Sequence, residues 1–250
     1  MNIIRIEDFN KVDDPVMTEE CIHYQLVRGA PDIDVGYSYA SLPIAWSINK
    51  RGVATTQQII SEVFHGNLVF TPHATILDSY MSIPHYACNY NVKLSKPWNE
   101  RKYKFSFMGS FLTHPVRRKI YEVLKNRNDC FVIDTGPWHF EVGQRRQEQN
   151  REKYIEILGD TKYSLCPRGT GPSTIRIWEA MAMGSCPIIL SDFLKMPLRT
   201  ELDENLWIKM LQSSQEYDIL IEKREEYNNE DYYRLFSNDN LYKSIVKNLF

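Results

Sequence analysis

The sequence predicts an α/β chain whose second half is a doubly wound parallel sheet. Three observations lead there. Between Tyr103 and Leu190, short apolar runs alternate with stretches of helical period. One of those runs, ending at Cys166-Pro167, turns through Arg168-Gly169-Thr170-Gly171 into a helical stretch. Gly184 then stands where a helix C-terminus favours a left-handed residue, just before another apolar run.

The elements follow in order. Tyr37–Asn49 reads as a strand leading into a turn at Lys50-Arg51-Gly52. Thr55–Phe64 reads as a helix, with Ile59, Ile60, Val63 and Phe64 on one side. Asn67–Phe70 reads as a short strand. The polar segment Lys93–Arg101, with one proline, is the expected linker between an N-terminal domain, 1–98, and a C-terminal domain, 99–250. Tyr103–Met108 is a predicted strand. Pro115–Lys125 is a predicted helix with Ile120, Val123 and Leu124 inward, capped by Thr113 and carrying Pro115 in its first turn. Cys130–Asp134 is a strand, Arg151–Leu158 a helix, Tyr163–Cys166 a strand, Thr174–Met183 a helix and Cys186–Leu190 a strand. Two or three amphipathic helices fill 212–250, with Tyr217, Leu220 and Ile221 on one apolar face and Leu241, Ile245 and Leu249 on another. Ligands of such sheets bind at the carboxyl ends of the strands.

Composition excludes several classes. A formal net charge of −2 argues against a nucleic-acid binder. The five cysteines form no CxxC pair, so neither a zinc ribbon nor a disulfide framework is expected. The first ten residues lack a signal-peptide core, and no run approaches the ~20 apolar residues of a membrane helix. The expectation is a soluble chain, cytoplasmic or otherwise, without a membrane segment. The basic run Gln144–Arg151 reads as a solvated loop and helix start.

The segment Tyr163–Asp192 carries the chemistry. Glycines at 169 and 171 let a backbone approach a ligand, and the start of the following helix offers free N–H groups. Arg168 and Arg176 flank the turn and suit a diphosphate. Two other glycine motifs fail. GxGxxG requires glycine where Thr174 stands, and a P-loop requires a GK[ST] ending that is missing. Arg176 and Glu179, three apart, are neighbours on the helix. A carboxylate there can accept hydrogen bonds from a ribose diol, although spacing alone favours a surface ion pair of little consequence.

This stretch resembles the signature of the exostosin family, the GT47-like glycosyltransferases. The matching residues are Cys166-Pro167-Arg168-Gly169, Ser173 with Arg176, Glu179-Ala180, Gly184-Ser185-Cys186, Pro187-Ile188-Ile189 and Ser191-Asp192. Two departures are the pair of residues between Ser173 and Arg176, and Ser185 within the Gly-Cys pair. Lys104–Arg118 is similar to the family's strand end followed by a helix arginine, and Ser82-Ile83-Pro84 is a weaker match with Asp78 as the nearest aspartate.

The resemblance implies a GT-B fold, two Rossmann-like α/β domains facing across a cleft. It implies an inverting transfer from a UDP-sugar to a hydroxyl of an oligosaccharide or glycoprotein glycan, with no metal cofactor. By position, Glu179 would hold the ribose; Arg168, Ser173, Thr174 and Arg176 would hold the diphosphate. Gly109 and Ser110 would admit the phosphate, with Arg117 as a second cation. The family's usual membrane anchor is not seen, a layout expected of a large DNA virus or a microbe. A pentose such as xylose is the favoured donor sugar.

Inversion needs a general base, for which Asp78 and His73 are the candidates, with His85 and His114 behind them; His139 is read as lining the cleft beside Trp138. His23 and His65 are read as structural. Asp32-Ile33-Asp34 spells the DxD of metal-dependent GT-A transferases, a competing assignment. A further alternative is a binding module that keeps the nucleotide site and lacks a working base.

Overall fold

The computed structural model describes residues 35–38, 53–56, 68–71, 73–77, 81–82, 84–85, 87, 89–137, 144–198, 207–208, 214–222, 226–237 and 240. The chain divides into two units, one spanning 1–86, 193–201 and 233–250, the other 87–192 and 202–232.

The first unit holds a four-stranded parallel sheet in the order β1 (Val35–Ser38), β2 (Val53–Thr56), β3 (Leu68–Thr71), β4 (Met81–Ser82). Here the sequence reading needs correction. Thr55 and Thr56, expected in a helix, pair in β2 with Tyr37 and Ser38. The segment Val-Ala-Thr-Thr is rich in β-branched residues, which suit a pleated surface better than a helix. The rest of that expected helix, 57–64, lies outside the described residues, as do 39–52. The strand expected at Asn67–Phe70 is β3. Residues 193–195 pair with 74–76 through an antiparallel bridge between Thr75 and Leu194 and bonds from Ile76 N to Phe193 O at 2.8 Å and Lys195 N to Ala74 O at 3.0 Å.

The second unit is a five-stranded sheet in the order β6 (Cys130–Asp134), β5 (Tyr103–Gly109), β7 (Thr161–Pro167), β8 (Cys186–Leu190), β9 (Trp207–Ile208), with every neighbouring pair parallel. Helices α1 (Pro115–Leu124), α2 (Gln144–Gly159) and α3 (Arg176–Ala182) connect successive strands, and α4 (Ser214–Ile221) follows β9. Counted along the chain this is the doubly wound order 2-1-3-4-5. The order reverses between the central strands β5 and β7, and a crevice forms outside their carboxyl ends.

The central strands are apolar because both faces are covered. Phe105 and Phe107 are fully buried on one face of β5, with Ser106 and Met108 buried on the other. Every residue of β8 is buried. Two pairs of hydroxyls in this core satisfy each other: Thr161 bonds Ser106 Oγ at 2.8 Å, and Ser164 and Ser185 meet at 2.7 Å. On α4, Tyr217 and Ile221 are buried as expected.

Helix α3 is buried from Ile177 to Ala182. It ends at Met183 in a Schellman arrangement, with Ser185 N bonding Ala180 O and Gly184 N bonding Met181 O. Gly184 takes φ 65°, which a side chain resists. A Cβ there would also come within 3.3 Å of the Arg101 guanidinium.

The expected linker is not a linker. Residues 92–94 and 98–100 form 3-10 turns packed within the second unit. Buried Arg101 fastens them, donating to Lys96 O, Thr161 O, Met183 O and Ser95 Oγ at 2.7–2.9 Å. Thr113 is not the cap of α1 either. It sits in a 3-10 turn, Phe111–Thr113, and His114 caps the helix through Nδ1, which accepts from Val116 N at 3.2 Å.

Candidate functional site

A pocket of about 460 Å³ lies at the carboxyl ends of β5 and β7, wholly within the second unit. Its size suits a small organic ligand. Gly109 and Ser110 form its floor where β5 ends. The loop beyond is held by Asp134 at the end of β6, whose Oδ1 accepts from Phe111 N at 2.9 Å and Gly136 N at 3.0 Å. Helix α2 contributes Asn150, Arg151 and Tyr154 as neighbours on one helix face. Thr174, Ile175, Arg176 and Glu179 come from the turn into α3 and its first residues.

Arg176 sits between two aromatic rings, its guanidinium carbon 4.6 Å from the centre of Phe107 and 5.0 Å from that of Tyr154. Nη2 donates to Met108 O, while buried Nε has no partner. A Cβ on residue 109 would lie 3.1 Å from Arg176 Nη2 and 3.1 Å from Phe107. Gly109 therefore makes room first of all for the guanidinium.

Glu179 is 1% exposed and belongs to no surface ion pair. Its Oε1 accepts from Asn89 N at 2.9 Å and Asn89 Nδ2 at 2.8 Å; its Oε2 accepts from the Tyr154 hydroxyl at 2.7 Å. Burial raises its pKa; the bonds from Tyr154 and Asn89 and the charge of Arg176 act in the opposite direction. Burial likewise pushes the Tyr154 hydroxyl well above its ordinary value and keeps it a donor.

Arg117 lines the same pocket, but each of its nitrogens already donates to a backbone carbonyl. Nε bonds Arg168 O at 3.0 Å, Nη1 bonds Ser110 O at 3.0 Å and Nη2 reaches Pro167 O at 3.4 Å. It clamps the ends of β5 and β7 together. Burial, then the charge of Arg176, lowers its pKa to about 10, so it stays charged at neutral pH. Gly169 serves this clamp, since a Cβ there would lie 3.0 Å from Arg117 Nη2. The sequence reading assigned that glycine to a ligand.

The pocket thus gathers Gly109, Ser110, Arg117, Thr174, Arg176 and Glu179. It does not gather Arg168 or Ser173. Arg168 is ion-paired with Asp192, and Ser173 Oγ is buried without a partner. The helix expected from Thr174 starts at Arg176 instead, after Ile175. Tyr154 and Asn89 were not read as site residues from the sequence, and Asn150 and Arg151 were read only as part of a solvated loop and helix start. Periodicity along α2 offered a signal for three of them; Asn89 had none.

Arg117, Arg151 and Arg176 face one carboxylate, and none of the three has an ion-pair partner among the described residues. A pocket with surplus guanidinium charge favours an anion such as a phosphate. His73 belongs to the first unit, where its ring meets that of His85 edge to face at 5.2 Å. Asp78, the Asp32-Ile33-Asp34 pair, His23, His65, Trp138 and His139 lie outside the described residues. Among the described residues no helix is long and apolar enough to cross a membrane.

A parallel sheet with a cationic pocket at its switch point defines an α/β ligand-binding unit of the kind found in nucleotide-using enzymes. Residues 41–208 match the Exostosin GT47 domain, more than half of the chain, and the chain belongs to that family of glycosyltransferases. It is 28% identical over 118 residues to the Exostosin-1 homolog of Caenorhabditis elegans, covering 43% of this chain and 31% of that protein. It is 26% identical over 136 residues to Ribitol-5-phosphate xylosyltransferase 1 of Danio rerio, covering 50% and 30%. It is 28% identical over 113 residues to the Probable glucuronoxylan glucuronosyltransferase IRX7 of Arabidopsis thaliana, covering 43% and 22%. The matches span less than a third of the length of each of these relatives.

Proposed function

We propose that the chain transfers a sugar from a UDP-sugar to a hydroxyl of a glycan acceptor, with inversion at the anomeric carbon and without a metal cofactor. The observation that carries this is the pairing, in one pocket, of a guanidinium held between Phe107 and Tyr154 and a buried carboxylate three residues on. On this reading Arg176 meets the diphosphate, with Thr174, Ser110 and the floor at Gly109 beside it. Glu179 accepts from the ribose. Arg117 adds charge and holds the floor.

In the reaction, the acceptor oxygen bonds to the anomeric carbon as the bond from that carbon to the diphosphate breaks. The departing UDP carries the negative charge, which fixed cations stabilise. The acceptor proton passes to a base, assigned to His73 or Asp78. In the GT-B arrangement proposed here, the first unit takes the acceptor.

UDP-xylose is the first donor to try, since a relative is a xylosyltransferase by name. UDP-glucuronic acid is the second, on the same ground.

The test is calorimetric titration with UDP, with and without EDTA, followed by release of UDP from UDP-sugars in the presence of glycan acceptors. Binding that survives EDTA, with acceptor-dependent turnover, supports the proposal. Binding that requires a divalent cation returns Asp32 and Asp34 to the argument. Turnover retained in both His73→Ala and Asp78→Asn removes those residues as the base.

A further inference from the structure

We propose that Asn89 is a positioning residue of the donor site, holding Glu179 with one acceptor position open to a ligand hydroxyl, and that Arg151 fixes the Asn89 amide for that task. This rests on the reading of Glu179 as the ribose acceptor.

An ionised carboxylate offers about four acceptor positions. Three on Glu179 are filled: Asn89 N and Asn89 Nδ2 converge on Oε1, and Tyr154 donates to Oε2. The fourth lies on Oε2. A ligand hydroxyl has no other place on this carboxylate, so Glu179 reads one ribose hydroxyl and not both.

Asn89 can serve in this way only with its amide turned one way. Arg151 Nε donates to Asn89 Oδ1 at 2.9 Å. A guanidinium is a donor without acceptor capacity, so it selects the amide oxygen and turns Nδ2 toward Glu179. A flipped amide would set N–H against N–H at Arg151 and oxygen against oxygen at Glu179. Asn89 and Arg151 both line the pocket, and Arg151 is exposed at its rim. The charged and titratable groups around Glu179 are Tyr154 on α2, Arg176 on α3, Cys166 on β7, and Arg151 acting through Asn89.

The experiment titrates the full chain and its variants with UDP, 2′-deoxy-UDP and 3′-deoxy-UDP. The parent is expected to bind one deoxy analogue roughly tenfold more weakly than UDP, and the other nearly as well. In Asn89→Ala that ratio should collapse to within about twofold, as it should in Glu179→Gln, and the double variant should lose little more than either alone. Arg151→Ala should fall between. Asn89→Asp keeps the shape of the side chain and serves if Asn89→Ala folds poorly. It sets a second carboxylate against Glu179, so its UDP affinity should recover several-fold between pH 8 and pH 5.5, when a shared proton restores the donor. A parent ratio that survives intact in Asn89→Ala, or an Asn89→Asp variant with the parent's pH profile, overturns this inference and leaves the ribose reading standing. A parent that binds all three ligands alike, unchanged in Glu179→Gln, overturns the ribose reading and this inference with it.

Discussion

Replacing Glu179 by glutamine separates the carboxylate's part in binding from its part in folding. A glutamine carbonyl can accept both bonds from Asn89, at 2.9 and 2.8 Å in the parent. Its NH2 then faces the Tyr154 oxygen, which turns from donor to acceptor. Each buried heavy atom keeps a bond, and only the Tyr154 hydroxyl proton loses its acceptor. Three charge-assisted bonds become neutral ones, but the desolvation of a carboxylate that is 1% exposed is relieved at the same time. Unfolding free energy at neutral pH should therefore stay within about 1 kcal/mol of the parent. Binding should not stay unchanged. A ligand hydroxyl that donated to Oε2 now meets an N–H, and UDP affinity should fall by about 1.5–3 kcal/mol, roughly 10- to 150-fold.

The pH dependence supplies a second reading of the same change. Burial raises the pKa of Glu179 above 4.5 in the folded chain. A raised carboxylate contributes stability that is fully present below its unfolded value and lost as pH rises through its folded value. Glutamine has no such loss. The variant should gain on the parent in urea midpoint from about pH 4.5 upward. Calorimetry and urea unfolding check both halves. A variant that binds UDP like the parent, or one that unfolds with more than about 3 kcal/mol lost, would refute the reasoning.

Gly109→Ala should lower UDP affinity roughly tenfold and cost about 1–2 kcal/mol of stability, because its Cβ would lie 3.1 Å from both Arg176 Nη2 and a fully buried Phe107 ring; calorimetry and urea unfolding would measure the two effects. Arg101→Met should destabilise by about 3 kcal/mol in urea unfolding, since it removes the donors to three backbone carbonyls, and Arg101→Lys should restore only part of this because an ammonium cannot span the same fork. His114→Ala should cost about 1 kcal/mol at pH 7.5, and His114→Ser much less, because serine can cap α1 in its place. Burial, then the charge of Arg168, lowers the His114 pKa, so the cap's contribution is present above the unfolded value near 6.5 and lost as pH falls through the folded one. Thermal unfolding at pH 7.5 and 5.5 should show the parent losing more than His114→Ser.

The second unit was legible because its central strands are buried on both faces. Runs such as Phe105 to Met108 and Cys186 to Leu190 read as core in any frame, and Gly184 marked the helix end. The N-terminal part was harder. Val53–Thr56 carries a β-branched run that gives way to helical periodicity after Thr56, and that periodicity captured the strand. At the site, Arg176 and Glu179 could be found from the resemblance of their segment to the exostosin signature, whereas their spacing alone favoured a surface ion pair. Their surroundings could not. Nothing local announces that Arg117 spends its donors on Ser110, Pro167 and Arg168, or that Gly169 exists to admit it. Lys93–Arg101 looked like a linker because its polarity conceals one buried arginine and the carbonyls it ties together. Asn89 reaches Glu179 across 90 residues of chain, a contact only the fold creates.

The central claim is that the pocket at the ends of β5 and β7 holds the diphosphate of a UDP-sugar through Arg176. Titration of the parent and Arg176→Ala with UDP and with uridine, in EDTA, tests it most directly. The account predicts that the parent binds UDP at least tenfold more tightly than uridine, and that Arg176→Ala brings the two close together while uridine affinity hardly moves. A parent that does not distinguish UDP from uridine, or an Arg176→Ala variant that keeps the parent's preference, would contradict it.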